Sequence, residues 1–291
     1  PDPLQSRTYT LTNGLKVLLT VYKDEPRIQT FIAVRAGSKY DPANHTGLAH
    51  YLEHLMFKGT EKIGTNDWEK EKPYLDQIIA LYEDYGKTTD TTLRKNIYHQ
   101  IDSLSLIASQ YAIPNEYDRL LSEMGATGTN AFTSFEQTVY VNEIPSNELE
   151  KWVKTEAERF SSFVPRLFHT ELEVVYEEKN RTLDSDYRQM NESLLNGLFP
   201  THQYGTQTTI GTVNDLKSPS IEAIKNYHDT YYVPNNMAIC MSGDFDMEKA
   251  IVMIDKYFGQ LKPHRLPLYE YPVEDPIQEV EKREILGPNA E

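Results

Sequence analysis

The pattern that most restricts this chain is His50-x-x-Glu53-His54, set in Leu48-Ala49-His50-Tyr51-Leu52-Glu53-His54-Leu55. Two histidines four apart lie about 40° apart on an α-helix, so they face one way and can hold one ion. Glu53 falls about 60° to the other side of His50, near such an ion but outside the ligand pair. Leu48, Leu52 and Leu55 fall roughly opposite the histidines. One face of this helix can pack while the other carries chemistry. The helix is expected to begin near Thr46, as its cap, and to stop near Gly59.

The segments around it alternate between strand and helix patterns. Thr8–Thr12 and Leu15–Tyr22 flank Asn13-Gly14, a type I′ hairpin signal, and Ile28–Ala36 reads as a third strand. Residues 67–112 are charged, tyrosine-rich and helical, with a turn near Gly86–Thr92; they read as a helical hairpin inserted at the surface. A helix over Glu116–Met124, strands over Thr127–Phe132 and Gln137–Ile144, and a helix opened by Ser146 follow. Helices are expected at 169–185 and 188–198, and from Pro219 with Ser218 as cap. Asn236–Ser242 should be a strand and Met247–Tyr257 a helix. Hairpins imply antiparallel pairing, so the expected class is α+β, a mainly antiparallel sheet flanked by helices. Residues 1–262 would form one domain. Residues 263–291, punctuated by Pro267, Pro272 and Pro276, would be a linker with the first strand of a following domain near Val280–Leu286.

Composition removes several alternatives. The net charge is −15, from 29 Lys and Arg against 44 Asp and Glu, with no basic cluster. Nucleic acid is therefore not an expected partner. No apolar run is long enough for a membrane helix. The single cysteine, Cys240, excludes a disulfide framework and is expected to be a buried strand residue.

A hydrolytic metal site needs a third protein ligand and an open position for water. Glu171, Glu173, Glu177 and Glu178 lie together on a predicted helix. Glu171 and Glu178, seven apart, share a face within about 20°. Spacing alone does not choose among them.

Here the residues resemble the pitrilysin-type (M16) peptidases, whose inverted HxxEH motif is that of the inverzincins. Thr46 through Thr60 is similar to the family's metal helix. Glu171–Glu178 is similar to its Glu-x6-Glu segment, in which the second Glu is the zinc ligand. Gly125–Thr133 resembles the edge strand that receives substrate. Tyr231–Asn236 with Gly243-Asp244 resembles the late part of the family's first domain. His202-Gln203-Tyr204-Gly205 stands where the family commonly has His-Pro-Tyr-Gly, and His202 is read as a structural loop residue. The separation of His54 from Glu178 exceeds that of typical members, and residues 67–112 account for the excess.

The resemblance implies a mitochondrial-processing-peptidase-like metallohydrolase domain with one Zn²⁺ per chain. His50, His54 and Glu178 would be the ligands, Glu53 the base and Glu171 a supporting carboxylate. Thr129, Asn130, Ala131 and Phe132 would bind substrate. It implies endoproteolysis of peptides or small unfolded polypeptides, enclosed with the help of a second homologous half or partner subunit. Two rivals remain at this point. One is a lyase of the S-ribosylhomocysteine type, which needs a cysteine ligand for which only Cys240 is available. The other is a non-catalytic, partner-dependent zinc-binding subunit.

Overall fold

The computed structural model describes residues 4–286. Its centre is a six-stranded sheet formed by β1 (Arg7–Thr10), β2 (Lys16–Val21), β3 (Arg27–Val34), β4 (Thr127–Thr133), β5 (Thr138–Pro145) and β6 (Met237–Gly243). The order across the sheet is β1-β2-β6-β3-β5-β4. All pairings are antiparallel except β2 with β6, where Val17 lies opposite Ile239 in parallel register. The chain reaches β6 by a long crossover rather than a hairpin, which is what a parallel pairing requires. The sheet is thus mixed.

Alternation sorts each strand between two faces. Leu15, Val17, Leu19, Ile28, Ile32, Ile239 and Met241 are buried under helices. Leu18 and Phe31 face the other way and are partly exposed. Cys240 pairs in register with Leu18 and Phe31 and is a half-buried free thiol. The expectation of a buried cysteine fails because the apolar run hid the two-residue alternation.

The first hairpin is also built differently from its sequence signal. Gly14 has φ 89°, but Asn13 is not among the residues with positive φ, so the turn is not type I′. Instead Gly14 N–H donates to Leu11 O, and Leu11 N–H to Leu15 O, each at 2.9 Å. Asn13 is used elsewhere: its amide donates to the carbonyls of Phe258 and Leu261, anchoring the end of the last helix.

The helices are α1 (Leu48–Leu55), α2 (Trp68–Lys87), α3 (Thr91–Ser109), α4 (Glu116–Glu123), α5 (Leu149–Arg159), α6 (Phe168–Leu183), α7 (Asp186–Leu198), α8 (Gln203–Thr206), α9 (Val213–Lys217), α10 (Ile221–Tyr231) and α11 (Met247–Phe258). The cap of α10 is Ser220, whose hydroxyl accepts from Ala223 N–H, not the expected Ser218.

The α2–α3 pair leaves and rejoins the body through a closed neck. Thr65 pairs with Ala112, and Ile113 N–H reaches Gly64 O at 2.8 Å. Beyond the neck the hairpin is not peripheral. Leu75, Ile78, Tyr82, Ile97 and Ile101 belong to the main core. The buried guanidinium of Arg166 grips Glu71 of α2 with Nε at 2.7 Å and Nη2 at 2.8 Å. It also donates to the carbonyls of Lys58, Thr60 and Ile63, the loop that follows α1. Residues 263–286 contain neither helix nor strand, so the strand expected over Val280–Leu286 does not form there. A strand needs a paired neighbour, and within the described residues that segment has none. No described helix is long and apolar enough to cross a membrane.

Candidate metal centre

The helix α1 is fixed before its histidines are. Asp41 accepts from Gly47 N–H at 2.8 Å and Ala49 N–H at 3.0 Å, so a distant carboxylate, not Thr46, satisfies the helix start. Thr46 instead donates its hydroxyl to Asp215 and accepts from Thr212 N–H. Gly47 has φ 85°, and a Cβ there would lie 2.6 Å from Ile210 O, so only glycine fits this entry. Tyr51 O–H donates to Phe168 O at 2.6 Å, locking α1 against the start of α6.

That lock brings α6 over the histidines. His50 Nε2 and His54 Nε2 lie 3.7 and 3.5 Å from the same oxygen of Glu178. The donor atoms of all three residues fall within 4.8 Å of one another, the one such grouping among the described residues. Ligands about 2.0–2.2 Å from a tetrahedral zinc stand about 3.3–3.5 Å apart, so this set is close to the size the ion needs. The chemistry fits as well, since two imidazoles and one carboxylate leave a fourth position open. Glu177, the neighbouring alternative, is not part of the grouping.

Glu171 lies one layer behind. Its Oε1 is 2.8 Å from His54 Nδ1, and its Oε2 is 2.6 Å from Lys58 Nζ. With Nδ1 held by Glu171, His54 presents Nε2 to the site. Lys58 was not singled out from the sequence, although it lies one turn beyond His54. His50 Nδ1 is buried without a partner in the protein.

The charges diverge although the histidines are one turn apart. Burial, helped by the neighbouring His54, lowers His50 to about 4. Burial also acts against the His54 cation, but Glu171 and Glu178 outweigh it and raise His54 to about 9. The hydrogen bond to His54 lowers Glu178. Glu171 is lowered because His54 and Lys58 overcome its burial. Burial raises Glu53, partly offset by the Thr133 hydroxyl, which donates to Glu53 Oε2 at 2.5 Å.

The site opens into a cleft of about 1540 Å³. β4 forms one wall, and Thr129, Asn130, Ala131 and Phe132 all line it. β4 is the sheet's edge, paired among the described residues only with β5, and its register shifts between Thr127 and Asn130. Phe132 is 47% exposed, whereas Thr129 also accepts from the buried Asn142 amide at 3.1 Å. α7 lies across the cleft and contributes Tyr187 and Arg188. His202 is away from the metal set: its Nδ1 accepts from Tyr204 N–H and caps α8.

Comparisons with known proteins agree with this architecture. The family model described as Insulinase (Peptidase family M16) matches residues 17–74 and 77–210, and that of the Peptidase M16 inactive domain matches 219–290. Insulin-degrading enzyme of Mus musculus is 27% identical over 296 residues, covering 98% of this chain and 24% of its own length. The zinc protease PqqE of Helicobacter pylori is 25% identical over 257 residues, covering 87% of this chain and 46% of its own. The chain therefore spans about a quarter to a half of these relatives. The first half of the periplasmic protease PqqL from Escherichia coli superposes with a TM-score of 0.69 at 18% identity, covering 93% of this chain and 49% of that one. Pitrilysin gives 0.68 at 20% identity, with 94% and 24% covered. With the family model matched over more than half of its length, this chain belongs to the insulinase family, peptidase family M16.

Proposed function

We propose that this chain carries the metal-bearing half-site of a zinc endopeptidase that cleaves peptides or small unfolded polypeptides. The observation that carries the reading is the convergence of His50, His54 and Glu178 beside an open sheet edge, with Glu53 next to them and outside the ligand set. One Zn²⁺ per chain is the expected load. When bound, zinc supplies a Lewis acid and lowers the pKa of a coordinated water.

The chain's own residues do the rest. Glu53, raised by burial, is suited to take a proton from the attacking water and pass it to the leaving amine. Thr133 fixes the Glu53 carboxylate by donating to it. Glu171, held by Lys58, orients His54. The free edge of β4 offers main-chain groups to which a substrate can add as a strand, with Asn130 and Phe132 available for contact. Because the relatives are two to four times longer than the part matched here, a second homologous half or partner subunit is proposed to complete the enclosure. Poor positioning without it can lower turnover by orders of magnitude.

The test separates base from ligand. Glu53→Gln should retain about one zinc and lower turnover about 10²–10⁴-fold in the completed enzyme. Glu178→Gln should weaken zinc binding itself. Zinc lost from Glu53→Gln, or retained at full affinity in Glu178→Gln, would overturn these assignments. Metal-free protein gives a second readout. With His54 at about 9 and His50 at about 4, zinc binding at pH 7 should release about one proton from His54 and almost none from His50, in addition to any from the coordinated water. Calorimetry in buffers of differing ionisation enthalpy measures it. The same values set the sign for stability of the metal-free protein. The His54 contribution is full below 6.5 and is lost as pH rises through about 9; that of His50 is lost as pH falls from 6.5 through about 4.

A further inference from the structure

Away from the metal, one cation near the surface is covered by aromatic rings. The Lys39 side chain is 1% exposed and pairs with Glu136, in the turn that joins β4 to β5. Its ammonium also lies 4.9 Å from the Tyr40 ring centre, 4.9 Å from that of Tyr269 and 5.0 Å from that of Tyr271. Two of these three aromatic faces come from the segment after residue 262, which otherwise has no regular structure. A buried ammonium needs a partner on every side that water has left, and aromatic faces can supply that where carboxylates do not.

The same junction gathers the walls of the cleft. Ser38 and Lys39 N–H groups donate to Ser134 and Phe135 carbonyls of the β4–β5 turn, at 3.0 and 3.1 Å. Tyr204, which lines the cleft from α8, donates its hydroxyl to the second oxygen of Glu136. Tyr269 donates to Gln203 of α8 at 2.5 Å. Further along, Glu274 accepts from Thr201 and His202 N–H, and Arg283 reaches Ser193 O and Asn196 of α7, both at 2.9 Å. The segment thus runs from the β4 turn along α8 to α7, on one rim of the cleft.

We infer that Lys39 is a latch that clamps residues 269–274 against the β4–β5 turn and α8, and so acts as a positioning residue for the β4 edge. It touches neither the metal set nor the cleft floor. It acts through Glu136 on the turn at the end of β4, the strand whose last residue, Thr133, donates to Glu53. Closing the latch would hold β4 and α8 at a fixed separation; opening it would loosen both together. The consequence for substrate rests on the peptidase reading above, but the mechanical coupling does not.

Amide hydrogen exchange on the zinc-loaded chain tests the latch. Tyr271 is 60% exposed, so changes there should be tolerated by the fold. The double variant Tyr269→Leu/Tyr271→Leu removes the aromatic faces but keeps apolar bulk. Tyr269→Phe/Tyr271→Phe keeps the faces and loses only the hydroxyls. The Leu pair should speed exchange about tenfold or more in 269–274 and also in 134–137 and 203–207, while the Phe pair, which loses the Tyr269 bond to Gln203 but keeps the ring faces on Lys39, should leave 134–137 near the parent. Lys39→Met should reproduce the Leu pair. Faster exchange confined to 269–274 in the Leu pair would overturn the latch, as would equal effects of the Phe and Leu pairs at 134–137. In the completed enzyme, the Leu pair should raise KM about three- to tenfold with kcat little changed, as expected for loosened strand addition. An unchanged KM beside the exchange effect would confine the latch to mechanics and overturn its positioning role. Absence of cleavage by the parent, with the exchange pattern as expected, would instead count against the peptidase reading.

Discussion

Two stretches of this molecule stand apart from the central sheet and its covering helices, the α2–α3 hairpin and residues 263–286, and a buried cation is among the contacts that fasten each to the body. The fastenings differ in kind. Arg166 spends its guanidinium donors on both oxygens of Glu71 and on three loop carbonyls, inside a seam of Tyr82, Ile78, Leu75 and Phe168. Lys39 has one carboxylate, itself 47% exposed, and three ring faces near the surface. Around Arg166 the attached element is itself core. Around Lys39 it is largely solvated, with Leu268 and Val273 both 90% exposed. A stretch can thus be an insertion by its closed neck and still share the core, whereas a stretch continuous with the body can lie largely outside it.

The largest expected effect follows from the hairpin. Joining Asn66 directly to Tyr111 through a short Gly/Ser linker would be allowed by the neck, where the two ends already pair. It would also strip Glu71 from Arg166 and uncover Phe168, which packs against both Tyr82 and Tyr51. Since Tyr51 ties α1 to α6, the expected outcome is loss of cooperative unfolding together with loss of zinc. A surface appendage, as the sequence suggested, would leave both intact, so circular dichroism and metal analysis of this one variant decide between the two descriptions.

A smaller change probes the fastening alone. Arg166→Met leaves the Glu71 carboxylate buried and unpaired, which should cost about 3–5 kcal/mol. Arg166→Met/Glu71→Leu removes both charges and should recover part of that loss, although the Lys58 and Thr60 carbonyls lose their Arg166 donor while Ile63 O keeps Thr60 N–H. Urea denaturation gives both values. A single-variant loss below about 1 kcal/mol would mean that Arg166 is no more important than an exposed ion pair.

How far the sequence could be read depends on the range of the interactions involved. Local signals served well: the α1 motif, the strand segments of β3 and β5, and the turn between α2 and α3 all depend on residues within a few positions of one another. Glu178 needed the resemblance, because helical spacing placed several glutamates on offer and the packing of α6 on α1, through contacts such as Tyr51–Phe168 and His54–Glu171, sets which one faces the histidines. Asp41 capping α1, Ser220 capping α10 and Asn13 reaching Phe258 were missed, since a capping side chain far away, or two positions along, leaves no mark in a local pattern. The hairpin was misjudged for a related reason. Its charged, tyrosine-rich composition hides the few positions, among them Glu71 and Tyr82, that make it part of the core.

The smallest expected effect belongs to the segment after residue 262. A chain ended after Pro267 keeps the paired contacts between Asn235 and His264 but loses Tyr269, Tyr271, Glu274 and Arg283. Few apolar side chains are uncovered by this loss, and Lys39 keeps Glu136 while water replaces two ring faces. Cation–π contacts that near the surface are worth about 0.5–1 kcal/mol each, and a chain of this size changes its Tm by about 2–4 °C for each kcal/mol. The shortened chain should therefore melt only a few degrees lower, bind zinc with unchanged affinity, and exchange amides faster at 134–137 and 203–207. Scanning calorimetry, zinc titration and exchange on the same preparation measure all three. A fall in Tm beyond about 10 °C with weakened zinc binding would place this segment in the same class as the α2–α3 hairpin and erase the distinction between the two fastenings.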